Sequence, residues 1–251
     1  HQNDTINQSL SFGELDFSLL RRIREQLDTG ITVQFHRDGD PCAYSHLAAA
    51  LGLFEGFVTS LITHGEALAR RADSLIGQCT TVTVSVFRGD PDAAMQYASV
   101  KEFLRLKGDQ PPQVLIKIVG DYADSPWEAL HVPIIRRLIH VPTGNDRYAH
   151  RSPTIPEVGI CLDALHHPSV DWRGRVFLCN RLDPAASTYL GSLREQSLAD
   201  IWTGERRRGW VAAHARGRRE LAAELCKTCT FWGVPSEWTP RPQSKFIQVG
   251  A

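Results

Sequence analysis

Between residues 12 and 141 the chain alternates helix-period and strand-like segments, and that order constrains the fold more than any single residue. Residues 12–27 set Leu15, Leu19, Leu20, Ile23 and Leu27 on one helical face, and Asp28-Thr29-Gly30 ends the segment. Residues 31–35 read as a strand that runs into Arg37-Asp38-Gly39-Asp40-Pro41. The pattern then repeats, with helices over 44–54, 66–76 and 92–106 and strands over 57–62, 81–86 and 113–119. Ser125-Pro126-Trp127-Glu128 predicts a helix start that Pro133 cuts short, and residues 137–141 supply a further strand. Apolar strands separated by helices of about 10–15 residues predict right-handed βαβ units and a parallel sheet. The repeats are too few to close an eight-stranded barrel, so the expectation is a partial one.

The 251 residues, 42% of them hydrophobic, suffice for one sizeable core and a small appendage. Charge balances at 28 Lys+Arg against 28 Asp+Glu, which removes any global field toward nucleic acid or an acidic membrane. No apolar run reaches the roughly 20 residues of a spanning helix, and no signal peptide opens the chain. A cytoplasmic setting is expected, where paired cysteines bind metal more often than they form disulfides. The chain opens on His1 without an initiator Met, and residues 1–9 are polar and unpatterned, which reads as a processed or partial chain. Residues 143–158 have linker composition, and the style changes after them. A hairpin is expected around Asp171-Trp172-Arg173-Gly174, a helix capped by Ser197, a basic helix over 205–223 and a Pro-rich tail.

Four of the six cysteines fall in this last part, as Cys161-x17-Cys179 and Cys226-x2-Cys229. The second pair sets two thiolates on one tight turn, and the hairpin is expected to bring Cys161 and Cys179 together. Four soft thiolates suit zinc or an iron–sulfur cluster about equally by their chemistry.

The order Cys161, Gly174-Arg175-Val176-Phe177-Leu178-Cys179, Leu190-Gly191, Ser197-Leu198-Ala199-Asp200-Ile201-Trp202 and Cys226-Lys227-Thr228-Cys229 resembles the auxiliary-cluster domain of radical S-adenosylmethionine (SAM) enzymes. It is most similar to the shortened, single-cluster form of the SPASM type, the twitch domain. Upstream, Asp38-Gly39-Asp40-Pro41 stands where such enzymes carry a Gly-Glu-Pro loop for the amino group of SAM. Thr63-His64-Gly65 resembles their Thr-Asn-Gly turn, and Ser85 and Arg88 stand where a strand presents polar groups to the cofactor. The resemblance implies an α/β fold, a partial (β/α)6 radical SAM barrel lacking its first strand, with a small C-terminal hairpin-plus-helix cluster domain. The implied divisions are 10–145 for the barrel, 158–238 for the cluster domain and 239–251 for the tail. Asp40 replaces the family's Glu. The Cys-x3-Cys-x2-Cys motif of the catalytic cluster does not occur in this sequence, and by the family's order it would precede residue 1.

The implied cofactors are an auxiliary [4Fe–4S] cluster on Cys161, Cys179, Cys226 and Cys229, SAM, and a second [4Fe–4S] cluster on the motif outside this sequence. The implied chemistry is abstraction of a hydrogen atom from a C–H bond. Asp38, Asp40, Asp90, Asp92, Asp121 and Asp124 follow strand ends and would attract a small cationic substrate, although each also suits a helix N-cap. Epimerisation of an aminoglycoside in antibiotic biosynthesis is the favoured expectation, with Cys226 or Cys42 returning the hydrogen. Dehydrogenation of an aminocyclitol, modification of a ribosomal peptide and a non-catalytic zinc scaffold are the alternatives. A reductant such as flavodoxin or ferredoxin is implied, and neither nucleic acid nor membrane. The groups Arg206-Arg207-Arg208 and Arg216 to Arg219 read as a solvated face, His166-His167 as a surface pair, and Cys79 as structural.

Overall fold

The computed structural model describes residues 12–87, 89–119, 126–137, 160–181, 183, 185–227 and 229. These residues fall into two compact units, one within Leu27–Leu138 and one that joins His1–Gln26 to Ile139–Arg241.

The first unit is a five-stranded parallel sheet of β1 (Thr32–Phe35), β2 (Val58–Thr63), β3 (Thr81–Phe87), β4 (Gln113–Val119) and β5 (Ile134–Arg137). Each strand pairs with the next in chain order, so every carboxyl end lies at one edge. Helices α2 (Leu47–Leu53), α3 (Ala72–Leu75) and α4 (Ala93–Lys107) fill the crossovers. This is the α/β order expected of a partial barrel wall. Val82, Val84 and Val86 of β3 and Ile116 and Ile118 of β4 are buried against Leu47, Leu68, Val100 and Phe103. A side chain of this kind contributes roughly 1.5–3 kcal/mol when fully buried. Gly65 turns the chain after β2 at φ +89°, and a Cβ there would stand 2.9 Å from Val84 and 3.0 Å from Val100.

Several boundaries depart from the periodicity. The expected helix over 44–54 is a 3₁₀ turn (Pro41–Ala43) followed by α2, because Asp40 caps that turn through the Cys42 amide at 2.8 Å. The segment 66–76 likewise divides into a 3₁₀ turn (Ala69–Arg71) and α3. The last strand begins directly after Pro133, whose carbonyl accepts the Ile116 amide at 2.9 Å, so the proline introduces the strand that had been expected over 137–141. Pro126–Leu130 is a 3₁₀ helix; Ser125 lies outside the described residues.

The second unit holds a three-stranded antiparallel sheet of β6 (Ser169–Val170), β7 (Arg175–Phe177) and β8 (Tyr189–Ser192). Its helices are α1 (Phe17–Arg24), α5 (Leu162–His166), α6 (Leu198–Trp202), α7 (Glu205–Ala215) and α8 (Glu224–Lys227). The expected hairpin turn is there: buried Asp171 accepts the amides of Arg173 and Arg175 at 3.0 and 2.9 Å. Gly174 completes the turn at φ +80°, where a Cβ would approach Leu19 to 3.0 Å. Leu19 comes from α1, which packs in this unit; Gln26, just past α1, accepts the Leu198 amide at 2.7 Å. The basic stretch 205–223 is α7 followed by a 3₁₀ turn (Arg219–Leu221). Among the described residues no helix is long and apolar enough to cross a membrane.

Candidate functional site

The four cysteines singled out by spacing line one cavity. Three elements deliver them. Cys161 is the N-cap of α5, Cys179 follows β7 by two residues, Cys226 lies on α8, and the Cys229 amide donates to the Cys226 carbonyl at 3.3 Å. Cys161 thus sits at a helix start, and not on a hairpin strand as the spacing suggested. Its position is the more favourable one, because a helix N-terminus offers amides to a sulfur that carries negative charge.

Each delivering segment is pinned to a neighbour. The carboxylate of Asp163, a residue 8% exposed, lies 2.6 Å from His167 Nδ1 and 3.2 Å from the Arg181 guanidinium. It therefore joins the start of α5 to the loop beyond Cys179. Buried Asp183 accepts the amides and hydroxyls of Ser187 and Thr188 at 2.7–3.0 Å. Ser187 in turn accepts the Leu225 amide at 3.2 Å, which fixes the residue before Cys226. Arg207 donates to the Ala164 and Leu165 carbonyls at 3.1 and 2.9 Å and stacks on Trp202 with its guanidinium 4.0 Å from the ring centroid. It was expected on a solvated face; it closes the end of α5 instead. His166 and His167 are both exposed, as expected of a surface pair, and His167 also engages Asp163.

The cavity is a site for thiolates in a hydrophobic wall. Ala164, Leu178, Ala213, Ala222 and Ala223 pack around Cys226. Burial pushes the Cys179 thiol up to about 12 and raises that of Cys161; amides of Arg181 on Cys179, and of Ala164 and Asp163 on Cys161, oppose it. The Arg181 amide donates to Cys179 Sγ at 3.4 Å. Thiols so held are protonated until a metal replaces the proton, so metal and proton compete for these sulfurs. Among the described residues no three His, Cys, Asp or Glu side chains are gathered closely enough for one metal ion, while four cysteines line one cavity. Four cysteine thiolates in an apolar wall are a donor set that fits an iron–sulfur group.

The sheet unit presents its expected residues at the carboxyl edge. Asp40 is half-buried, and its carboxylate accepts the Cys42 amide at 2.8 Å, the His64 amide at 2.8 Å and the Thr63 hydroxyl at 2.7–2.8 Å. These three donors occupy most of the roughly four acceptor positions of a carboxylate. Asp40 therefore ties the loop after β1 to the end of β2. Thr63 also accepts the Gly65 amide at 2.9 Å. Burial lowers the His64 pKa, and its ring lies beside Phe87 with centroids 5.7 Å apart. Ser85 is buried, and its carbonyl shares Gln96 Nε2 with the His64 carbonyl, at 3.0 and 2.5 Å. Asp38 pairs with Arg37 at 3.0 Å, and Gly39 turns the loop at φ +92°. Arg88, Asp121 and Asp124 lie outside the described residues.

Cys42 is 2% exposed, and burial pushes its thiol up to about 12. It belongs to the core with Leu47 and Leu51 and also borders an open cleft with Asp40, Glu66, Arg70 and Arg71. Glu66 was not anticipated. Burial first, and then Asp92, Asp90 and Asp40, raise its pKa, so four carboxylates share this edge. Its position directly after Thr63-His64-Gly65 was the available signal. Asp163 and Arg181 were also missed, although each stands two residues past a candidate ligand.

Comparison with known proteins agrees with both units. Residues 161–230 match the family model of SPASM, an iron–sulfur cluster-binding domain. The fold is similar to the crystal structure of BtrN in complex with AdoMet and 2-DOIA, at 18% identity and a TM-score of 0.57, over 87% of this chain and 81% of that one. It is also similar to SeMet BtrN in an open conformation, at 16% identity and a TM-score of 0.51, over 91% and 85% of the two chains. No curated protein sequence matches. Residues 161–230 of the C-terminal unit thus match an iron–sulfur cluster-binding domain, and the fold of the chain is similar to that of BtrN.

Proposed function

We propose that this chain belongs to a radical SAM enzyme that removes a hydrogen atom from a C–H bond of a small cationic aminocyclitol or amino sugar, and that it oxidises the substrate. The observation that carries the reading is the convergence of Cys161, Cys179, Cys226 and Cys229 on one cavity within a segment that matches an iron–sulfur domain. When bound, SAM with a reduced cluster supplies a radical that takes the hydrogen atom, and an auxiliary cluster supplies an acceptor for the second electron. The chain's own part is to hold and orient. Asp40 braces the strand-end loop through Thr63 and His64 and keeps an acceptor position for an amine. Glu66, Asp40, Asp90 and Asp92 give that edge a negative field suited to an ammonium-bearing substrate. The ligand named with BtrN, 2-DOIA, supports a small substrate of the aminocyclitol kind.

Epimerisation, favoured by the sequence, needs a thiol that can return a hydrogen. Cys226 is 8% exposed and shares the cavity with three other cysteines, which supports its use as a ligand rather than as a donor. Cys42 keeps the second reading open because it borders the cleft beside Asp40.

The test is to reconstitute the full-length protein with iron and sulfide, add SAM and reductant, and offer aminocyclitols and aminoglycosides in D2O. A product lighter by two hydrogens is the expected result. Deuterium at a stereocentre with unchanged oxidation level would establish epimerisation. A colourless protein holding one zinc would sink both.

A further inference from the structure

The cysteine cavity has charged side chains of opposite sign on its wall, and both occupy equivalent places relative to a cysteine. Asp163 stands two residues past Cys161, and Arg181 two residues past Cys179. They meet each other at 3.2 Å with only 11% and 25% of their side chains exposed. Among the described residues they are the Asp, Glu, Lys or Arg side chains that line the cavity. Buried surroundings leave their fields poorly screened. The Arg181 amide also reaches Cys179 Sγ, so Arg181 touches a candidate ligand through its backbone while its guanidinium meets the Asp163 carboxylate.

We propose that Asp163 and Arg181 are positioning residues that clamp the Cys161 and Cys179 segments together and, by their opposed charges, set the reduction potential of the iron–sulfur group held there. The proposal rests on the reading of the four cysteines as a cluster site. A cluster becomes more negative on reduction, so a nearby cation favours the reduced form and a nearby anion opposes it. The two charges therefore act in opposite senses, while the ion pair between them has a single structural effect. His167, on the second Asp163 oxygen, holds the carboxylate in place when Arg181 is absent.

This difference separates tuning from mere support. The full-length protein and the variants Asp163→Asn, Arg181→Gln, Arg181→Lys and the double variant Asp163→Asn/Arg181→Gln are loaded with iron and sulfide. Iron per chain is counted, and the auxiliary-cluster potential is measured by an EPR-monitored redox titration. Arg181→Gln should shift the potential to more negative values, Asp163→Asn to more positive values, and the double variant should return toward the wild type. Arg181→Lys should keep the wild-type potential while retaining less iron, because lysine offers no planar fork. Shifts of one sign in both single variants, or no shift, would overturn the proposal. So would loss of the cluster in Arg181→Gln that Arg181→Lys does not restore. Failure of the wild type to bind iron and sulfide at Cys161, Cys179, Cys226 and Cys229 would instead remove the site reading itself.

Discussion

The candidate site residues are placed by three buried acids and one half-buried one. Asp40, Asp163, Asp171 and Asp183 each gather two or more donors from segments that periodicity alone treats as loops. A single change at such an acid therefore reaches further than its own contacts. Asp183→Ala leaves the amides and hydroxyls of Ser187 and Thr188 without their acceptor, and should destabilise the second unit by roughly 3 kcal/mol. Denaturant unfolding with Asp183→Asn as the milder control measures it. Cys226→Ser should reduce bound iron and sulfide as strongly as Cys161→Ser does; retention of a full cluster in Cys226→Ser alone would mark that thiol as spare. For Cys42, burial raises the folded thiol from 9.0 to about 12. Its protonated form favours the folded state below pH about 9, and that contribution is lost as pH rises toward 12. Stability of the wild type should therefore fall across that window, and Cys42→Ala should remove part of the fall.

At the scale of elements, short helices matter because of what closes their ends. α5 spans only Leu162–His166, yet Cys161 begins it and Arg207 of α7 caps its Ala164 and Leu165 carbonyls. Arg207→Ala removes both hydrogen bonds and the stacking on Trp202, and should slow iron retention without touching a ligand. The check is iron content after dialysis against a chelator. In the sheet unit, β2 and β3 are held in register by Thr59 and Thr80, whose amides and hydroxyls exchange bonds at 3.0–3.1 Å. The turn glycines belong here too. Gly174→Ala would require a left-handed alanine pressed against Leu19, and should cost about 1–2 kcal/mol.

At the scale of the whole molecule, the two units draw stability from different sources. The sheet unit has a continuous core of Val, Leu, Ile and Phe, and the second unit buries Leu19, Val176, Phe177, Leu193 and Ile201 but adds to them its buried acids and the four-cysteine site. Removing iron and sulfide should lower the thermal stability of the second unit by several degrees and leave the sheet unit nearly unchanged, since binding to the folded state alone adds to its stability. Hydrogen exchange on the loaded and stripped protein, read for β3 and β4 against α5 and α8, tests this directly. The sequence by itself determined the order of strands and helices, because period and turn residues are local, and β4 lies where its apolar run is written. It also determined the four cysteines, because soft ligands in pairs are scarce enough to stand out. Only the tertiary structure decided that Asp40 is largely occupied by Thr63 and His64 from the end of β2, that Arg207 caps α5 and that Asp163 meets Arg181. Those facts depend on contacts between residues 18 to 43 positions apart, and no local pattern encodes which buried charge will find which partner.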